Sequence, residues 1–396
     1  MKTRLILILL LGVDALILYS ELTDLSISYY ETQLLYEKHS LLHYIITASL
    51  TFFGHNDLAL RLPMIVMHLL SVILLFKISE KYLYYDRDRL WLVLIYMLLP
   101  GVSSAALIVD PTGMVIFALF FYMYVHHFHR TYEYLLLPLL LFVDQSIAFL
   151  YLGLIFFEYA NRSYRKMALL VVLLILAFTI HPLEVSGVPS GHFLDTLGVY
   201  AAIFSPIVFI YLFYILYRAY MKEYHDISWY LAANALVISL LLSFRQRIEV
   251  QIFAPYLMVI LPLAVQTFFH SYRVRLKEFR GRYRTVFVLS FILLVLNTLV
   301  VFFNKEIYAY LETPKKHFVY KMHVAKELAE ALRELNITCI LASNDKMQPR
   351  LRFYGIEKCE KFLLTQENPF QENAQNVTIR YKNQTVYQGY VTKQHI

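Results

Sequence analysis

Apolar residues run along this chain in long blocks, and the blocks stop near residue 303. They fall near 5–20, 62–79, 90–108, 112–127, 134–143, 146–158, 168–181, 196–217, 228–243, 252–270 and 285–303. A helix crossing a bilayer needs about 20 such residues. The pattern therefore predicts eleven membrane-crossing segments, several of them short. Segments 134–143 and 146–158 are each about half a span, and they meet at Asp144-Gln145 as a hairpin tip. From about residue 318 the pattern changes to one of polar and charged residues. Val324, Leu328, Leu332 and Leu335 recur at helical spacing within 323–335, and 337–342 reads as a buried strand. Residues 377–381 and 385–391 alternate around a turn at Lys382-Asn383-Gln384, a hairpin signature. The expected fold class is an α-helical polytopic membrane protein with a small C-terminal α/β domain. The expected division is 1–317 for the membrane part, with a long outer loop at 21–61, and 318–396 for the soluble part.

Charge supports the count of eleven. With the N-terminus inside, eighteen lysines and arginines fall in inside segments, from Lys2 and Arg4 to the cluster between Arg273 and Arg284. The outer loops before residue 304 hold only Lys38, Arg61, Arg245 and Arg247. This is the positive-inside pattern. Merging 134–158 into one helix would move eleven basic residues outside. Lys2 and Arg4 precede an apolar stretch, but no Ala-x-Ala site follows it, so the stretch is expected to remain as a first span. An odd count then puts the C-terminal domain on the outer, extracytoplasmic face.

Composition agrees. Apolar residues make up 59% and charged residues 16% of the 396, against roughly 45–50% and about 25% in soluble domains. Disorder, collagen and a disulfide-knotted secreted domain are excluded, and lipid is the expected solvent. A net charge of +7 reflects the inside loops and gives little reason to expect a nucleic-acid partner. Both cysteines, Cys339 and Cys359, lie in the C-terminal domain. In an oxidising compartment they form a disulfide or remain two thiols, and the sequence leaves both readings open.

The outer side carries few charges, so each is a candidate for chemistry. The first loop holds Asp24, Glu37, Lys38, Asp57 and Arg61, with Tyr29, Tyr30 and Tyr36 among them. The stretch 41–53 is too short and too polar to span, and suits the membrane surface. Asp110 precedes Pro111 at the mouth of a span, where an N-cap role and a cavity carboxylate are compatible. Arg245-Gln246-Arg247 reads as a solvated loop or as an anion clamp. Lys38 reads as a phosphate ligand or a snorkelling side chain. His181, Glu184 and His192 share an outer loop without a metal-binding spacing, so metal use stays unknown. The chain has no Gly-rich phosphate loop, Walker motif or Gly-x-Ser-x-Gly.

The block EKHSLLHYIITASLTFFGHNDLALRLP at 37–63 resembles the first outer loop and second span of polyprenyl-phosphate-sugar-dependent glycosyltransferases. These form the C-type superfamily, and the likeness is to the family 39 and lipid A aminoarabinose transferase branch. Asp24 corresponds to that branch's first Asp, Glu37-Lys38 to its acid-Lys pair, and Phe53-Gly54 and Arg61-Leu62-Pro63 to the blocks that follow. Asp110 falls where a second acid opens a later span. The departures are Leu25 where Glu is usual and His39-Ser40 where Pro-Pro is usual. The resemblance covers about the first 130 residues, and beyond them only the layout.

The resemblance implies an enzyme, a hexosyl- or pentosyltransferase that moves a sugar with inversion from a lipid-phosphate donor at the outer face of a bacterial inner membrane. Asp24 would be the base, assisted by Asp110. Glu37, Lys38, Arg61, Arg245 and Arg247 would meet the lipid phosphate, and Tyr29 and Tyr30 would stack on the sugar. Arg61 has a second reading as an ion-pair partner of Asp57. The donor is lipid-borne, so no soluble cofactor is needed, while a divalent metal stays open. The other partners are membrane lipids and an acceptor that is a lipid, a glycan or a protein. Two rival readings remain: a lipid-linked solute flippase or transporter, and a catalytically degenerate structural subunit of envelope assembly.

Overall fold

A computed structural model describes residues 2–182, 191–223, 225–311, 313–367, 374–382 and 384–393. The described chain is mostly helical, with one small sheet near its C-terminus. It divides into two compact units, each discontinuous in sequence. The first comprises Met1–Leu16 and Met64–Leu299; the second comprises Ile17–Pro63 and Val300–Ile396. The boundary expected at 317/318 thus follows chain order, whereas the compact units draw on both ends of the chain.

Helical segments occur at each of the eleven apolar blocks, most of which lie wholly in the first unit. Five described helices are long and apolar enough to cross a membrane, or up to seven if two bent pairs count as single spans. The bent pairs are Asp86–Met97 with Pro100–Leu107 (62°) and Phe193–Phe204 with Pro206–Met221 (105°). A proline opens the second helix of each pair, where its missing N–H costs nothing. Glu133–Leu140 and Ile147–Ala160 are separate helices with Asp144 between them, as the half-span reading requires. The core is built from side chains such as Tyr96, Leu119, Tyr122, Leu150 and Leu154. Gly153 lets helix Ile147–Ala160 approach Ile227–Ser243, because a Cβ there would lie 2.8 Å from Leu231. Leu5, Ile8, Leu9 and Leu16 on the first helix, and Val286, Leu289 and Leu296 on the last, are exposed. Such apolar exposure suits hydrocarbon, not water.

The second unit contains the sheet. Strands β1 (Leu341–Ala342), β2 (Phe362–Thr365), β3 (Gln375–Tyr381) and β4 (Gln384–Lys393) are ordered β1-β2-β4-β3. β1 and β2 are parallel; β4 runs antiparallel to both its neighbours. The hairpin thus forms at the expected place, although Asn383 of its turn lies outside the described residues. The strand expected over 337–342 is reduced to two residues plus a bridge from Cys339 to Glu357. Helix Ala325–Glu334 buries Leu328 and Leu332 against a core with Leu351, Ile356 and Val377. Cys339 and Cys359 are joined as a disulfide.

The first loop folds into two helices within this unit. Ser28 and Glu31 form a capping box at the start of Tyr29–Tyr36: Ser28 N–H donates to Glu31 Oε2 (2.7 Å), and Glu31 N–H donates to Ser28 Oγ (3.2 Å). Ser40 caps Leu41–Phe53 through His43 N–H (3.2 Å). That helix buries Leu42, Ile46 and Leu50 at i, i+4 spacing and exposes Phe52 and Phe53, as an interfacial helix would.

Candidate active site

Asp24 lies in the turn after helix Lys2–Leu22, where its N–H donates to Glu21 O (3.1 Å). Its side chain is 56% exposed and pairs with Lys305, whose Nζ is 3.2 Å from Asp24 Oδ1. Lys305 Nζ also lies 3.6 Å from Glu327 Oε1, which accepts a hydrogen bond from Tyr381 Oη (2.9 Å). The acid of the first loop therefore faces a Lys–Glu–Tyr chain supplied by residues about 300 positions later in the sequence.

Several further contacts hold the loop in place. Ser26 N–H donates to Met322 O (2.8 Å), and Arg350 donates to Ile27 O (2.7 Å), Ser26 Oγ (3.2 Å) and His323 O (2.7 Å). Tyr354 Oη accepts from Ile27 N–H (2.9 Å) and donates to Asp57 Oδ1 (2.8 Å). Burial pushes the Arg350 guanidinium down and the Tyr354 phenol up from their ordinary values. Lys326 completes the set, 3.3 Å from Asp57 Oδ2 and donating to Thr23 O (3.1 Å). It sits just after Val324, which holds a positive φ of 81° at the start of helix Ala325–Glu334, a strained geometry for a β-branched residue.

Arg61 is fully buried. Its guanidinium donates to Leu25 O (3.2 Å) and Ser26 O (3.1 Å) and lies 3.4 Å from Glu31 and 3.6 Å from Asp57. The structure thus places it in the ion-pair arrangement, extended to Glu31, rather than facing open space. Beside these residues is a cavity of about 580 Å³. Thr23, His55, Asp57, Lys326 and Arg333 give it polar walls, while Tyr19, Leu22, Leu58 and Phe353 give it apolar ones.

The other sequence candidates spread over both units. Glu37 and Lys38 follow helix Tyr29–Tyr36 and are exposed; Glu37 accepts from Gln33 Nε2 (3.3 Å) and Lys38 Nζ sits 5.4 Å over the Tyr30 ring. Tyr29 lies under Lys346 Nζ at 5.9 Å and accepts from Gln33 Nε2 (3.3 Å). Asp110, Arg245 and Arg247 belong to the first unit. Asp110 caps helix Pro111–Phe128, accepting from Thr112 N–H (2.8 Å) and from the Thr112 hydroxyl. Burial raises its carboxyl above the usual range, while the Thr112 bonds pull it down and Asp144 and Glu249 push it up. Arg245 and Arg247 are exposed in the turn after helix Ile227–Ser243.

Among the described residues, no group of three or more His, Cys, Asp or Glu side chains is placed to hold a metal ion. Glu184 lies outside the described residues. Sequence reasoning missed Lys305, Lys326, Glu327, Arg350 and Tyr354. They lie in a polar region whose pattern shows helix and strands but no partner. Glu31 was readable, because Ser28-x-x-Glu31 is a capping-box pattern.

The chain is a multi-pass membrane protein. Solved structures of ArnT from Cupriavidus metallidurans share its fold over nearly the whole chain. The form bound to undecaprenyl phosphate matches with a TM-score of 0.63 at 13% identity, covering 97% of each chain. The apo form matches with a TM-score of 0.61 at 12% identity, covering 99% of this chain and 98% of that one. ArnT is a lipid A aminoarabinose transferase, the branch that the first-loop residues resemble. No protein-family model and no curated relative matches the chain.

Proposed function

We propose that this chain transfers a sugar, with inversion, from a polyprenyl-phosphate-linked donor to an acceptor at the outer face of a bacterial inner membrane. In this reading eleven segments cross the membrane, the N-terminus is cytoplasmic and residues 318–396 are extracytoplasmic. The fold shared with an ArnT solved with undecaprenyl phosphate supports a lipid-phosphate donor. The observation that carries the reading is Asp24: a half-exposed carboxylate, held by Lys305, following Thr23 of the cavity wall.

Asp24 takes the proton of the acceptor hydroxyl. The acceptor oxygen then bonds to the anomeric carbon, the bond from that carbon to the phosphate oxygen breaks, and the lipid phosphate leaves with the electron pair. Cations preorganised around the leaving group stabilise its growing charge. Lys38, Arg245 and Arg247 are exposed and suit that task, with Glu37 beside Lys38. Asp110 assists from its cap position, and Tyr29 and Tyr30 offer faces to the sugar. Arg61 acts one step back, fixing the loop that carries Asp24.

The test uses purified protein in lipid with a mixed pool of polyprenyl-phosphate sugars, and follows donor loss by mass spectrometry. Wild type should consume one donor, and Asp24→Asn should be slower by about 100-fold or more. Replacing Arg245 and Arg247 together with Gln should weaken donor use. Donor loss unaffected by Asp24→Asn would remove Asp24 as the base. No donor bound or consumed by any variant would favour the carrier or structural readings.

A further inference from the structure

A second polar site lies wholly within the first unit, where the chain passes from helix Pro111–Phe128 to Glu133–Leu140 and from Ile147–Ala160 to Tyr164–Ile180. Pro111–Phe128 is long and apolar enough to cross a membrane, so its end is where an aqueous boundary would fall. Glu133, Glu158 and Lys166 are all buried there. Lys166 Nζ lies 2.8 Å from Glu133 Oε1 and 2.7 Å from Glu158 Oε1, so one ammonium bridges two carboxylates. His126 Nδ1 lies 3.1 Å from Glu133 Oε1, and Tyr122 donates to the same oxygen. A cavity of about 390 Å³ opens onto this cluster, with Arg130, Asn161 and Ser163 on its wall. Arg130 is exposed and makes no ion pair among the described residues. Tyr132, Tyr134, Tyr159 and Tyr164 stand exposed around the same connections, as aromatic side chains do at a membrane–water interface.

Ionisable groups at this depth are costly unless they have a partner or a task. The charges define the ligand. Glu133 and Glu158 are balanced by Lys166 and Arg130, so the cavity is neutral overall with its two signs at different places. A bare anion would add an uncompensated charge. A zwitterion adds none, and meets both ends.

We propose that this cavity binds the headgroup of a membrane phospholipid that carries a phosphate and a primary ammonium. The phosphate pairs with Arg130, aided by the Ser163 hydroxyl. The ammonium donates to the oxygens of Glu158 and Glu133 that face away from Lys166. The acyl chains lie along the exposed apolar surface beside the tyrosines.

The full chain in detergent is titrated with short-chain phosphatidylethanolamine, phosphatidylglycerol and phosphatidylcholine, and with soluble glycerophosphoethanolamine. Bound molecules are counted by native mass spectrometry. Phosphatidylethanolamine should be retained about tenfold better than the other two lipids, the worth of one charge-assisted hydrogen bond. Arg130→Gln, at an exposed side chain, should abolish that retention without altering the helical circular dichroism. Glu158→Gln should erase the preference over phosphatidylcholine. Equal retention of the three lipids, or phosphatidylethanolamine binding unchanged in Arg130→Gln, overturns the site. Glycerophosphoethanolamine bound as tightly as the lipid overturns the lipid assignment in favour of a soluble phosphoamine.

Discussion

Lys305 Nζ stands 3.2 Å from Asp24 Oδ1, across 281 positions of sequence. The pair brings the acid of the first loop and the start of the C-terminal segment to one point, and the same ammonium reaches Glu327. Lys305→Met should lower donor turnover about tenfold, the worth of one charge-assisted contact, while Lys305→Arg keeps most of it. Donor-loss rates and thermal midpoints measured on the same preparations check this. A Lys305→Met protein that is fully folded and turns over at the wild-type rate removes Lys305 from the site.

Arg61 is expected to matter for folding before catalysis. Its removal takes away a cation that lies 3.4 Å from the buried Glu31 carboxylate and frees two loop carbonyls. Breaking a buried pair in this way costs about 3–5 kcal/mol. Arg61→Met should therefore make the first loop open to trypsin at temperatures where wild type resists it. Arg61→Lys should not rescue it, since one ammonium cannot reproduce the fork. Wild-type protease resistance in Arg61→Met would count against this assignment.

His323 gives the second unit a pH limit. Burial pushes its imidazole down from 6.5 to about 3, and the charges of Lys305, His317 and Arg350 add to the shift. Its Nδ1 faces the Tyr308 hydroxyl at 2.9 Å. Below pH 6.5 the unfolded chain takes up a proton that the folded chain refuses until about pH 3. Stability is thus unaffected above pH 6.5 and falls as the pH drops between the two values, by at most about 1.4 kcal/mol per pH unit from this group. Thermal midpoints from pH 7 to 4 should fall less steeply for His323→Asn than for wild type. Parallel slopes would show that His323 does not set the limit.

The disulfide between Cys339 and Cys359 closes a loop with a sequence separation of 20. In the chain-entropy account such a closure contributes about 3 kcal/mol. Reduction, or replacement of both cysteines by Ser, should lower the unfolding midpoint of the sheet region and speed amide exchange in β1 and β2. Exchange that is the same with and without reductant would show that the bond adds nothing to that region.

Much of the helical layout was legible because lipid imposes a strong rule: apolar blocks, interrupted by charge, become helices. The break at Asp144 was readable for the same reason, since merging the halves violates the charge bias. The hairpin and helix Ala325–Glu334 followed from their periods. The bends at Pro100 and Pro206 were less accessible, because they turn on packing that a window of hydropathy does not register. The site was half legible. Asp24, Glu37 and Lys38 sit in blocks with a family likeness, but Lys305, Glu327 and Arg350 reach the loop only through tertiary pairing. Arg61 illustrates the limit: its sequence position suggested a phosphate ligand or an ion pair with Asp57, and the structure shows the ion pair together with two loop carbonyls that the sequence did not announce. The division at 317/318 followed the polarity change along the chain, which cannot reveal that 17–63 packs with 300–396.

That shared packing bears on how the protein is made. The loop from Ser26 to Asp57 cannot reach its final arrangement when it emerges, because Met322, Arg350 and Tyr354 do not yet exist. It must wait, unfinished, through the synthesis of every intervening helix. A truncated or stalled chain consequently carries Asp24 without Lys305, so the pair is completed only with the last quarter of the polypeptide. Deleting 318–396 would therefore remove the loop's scaffold along with any acceptor-binding surface.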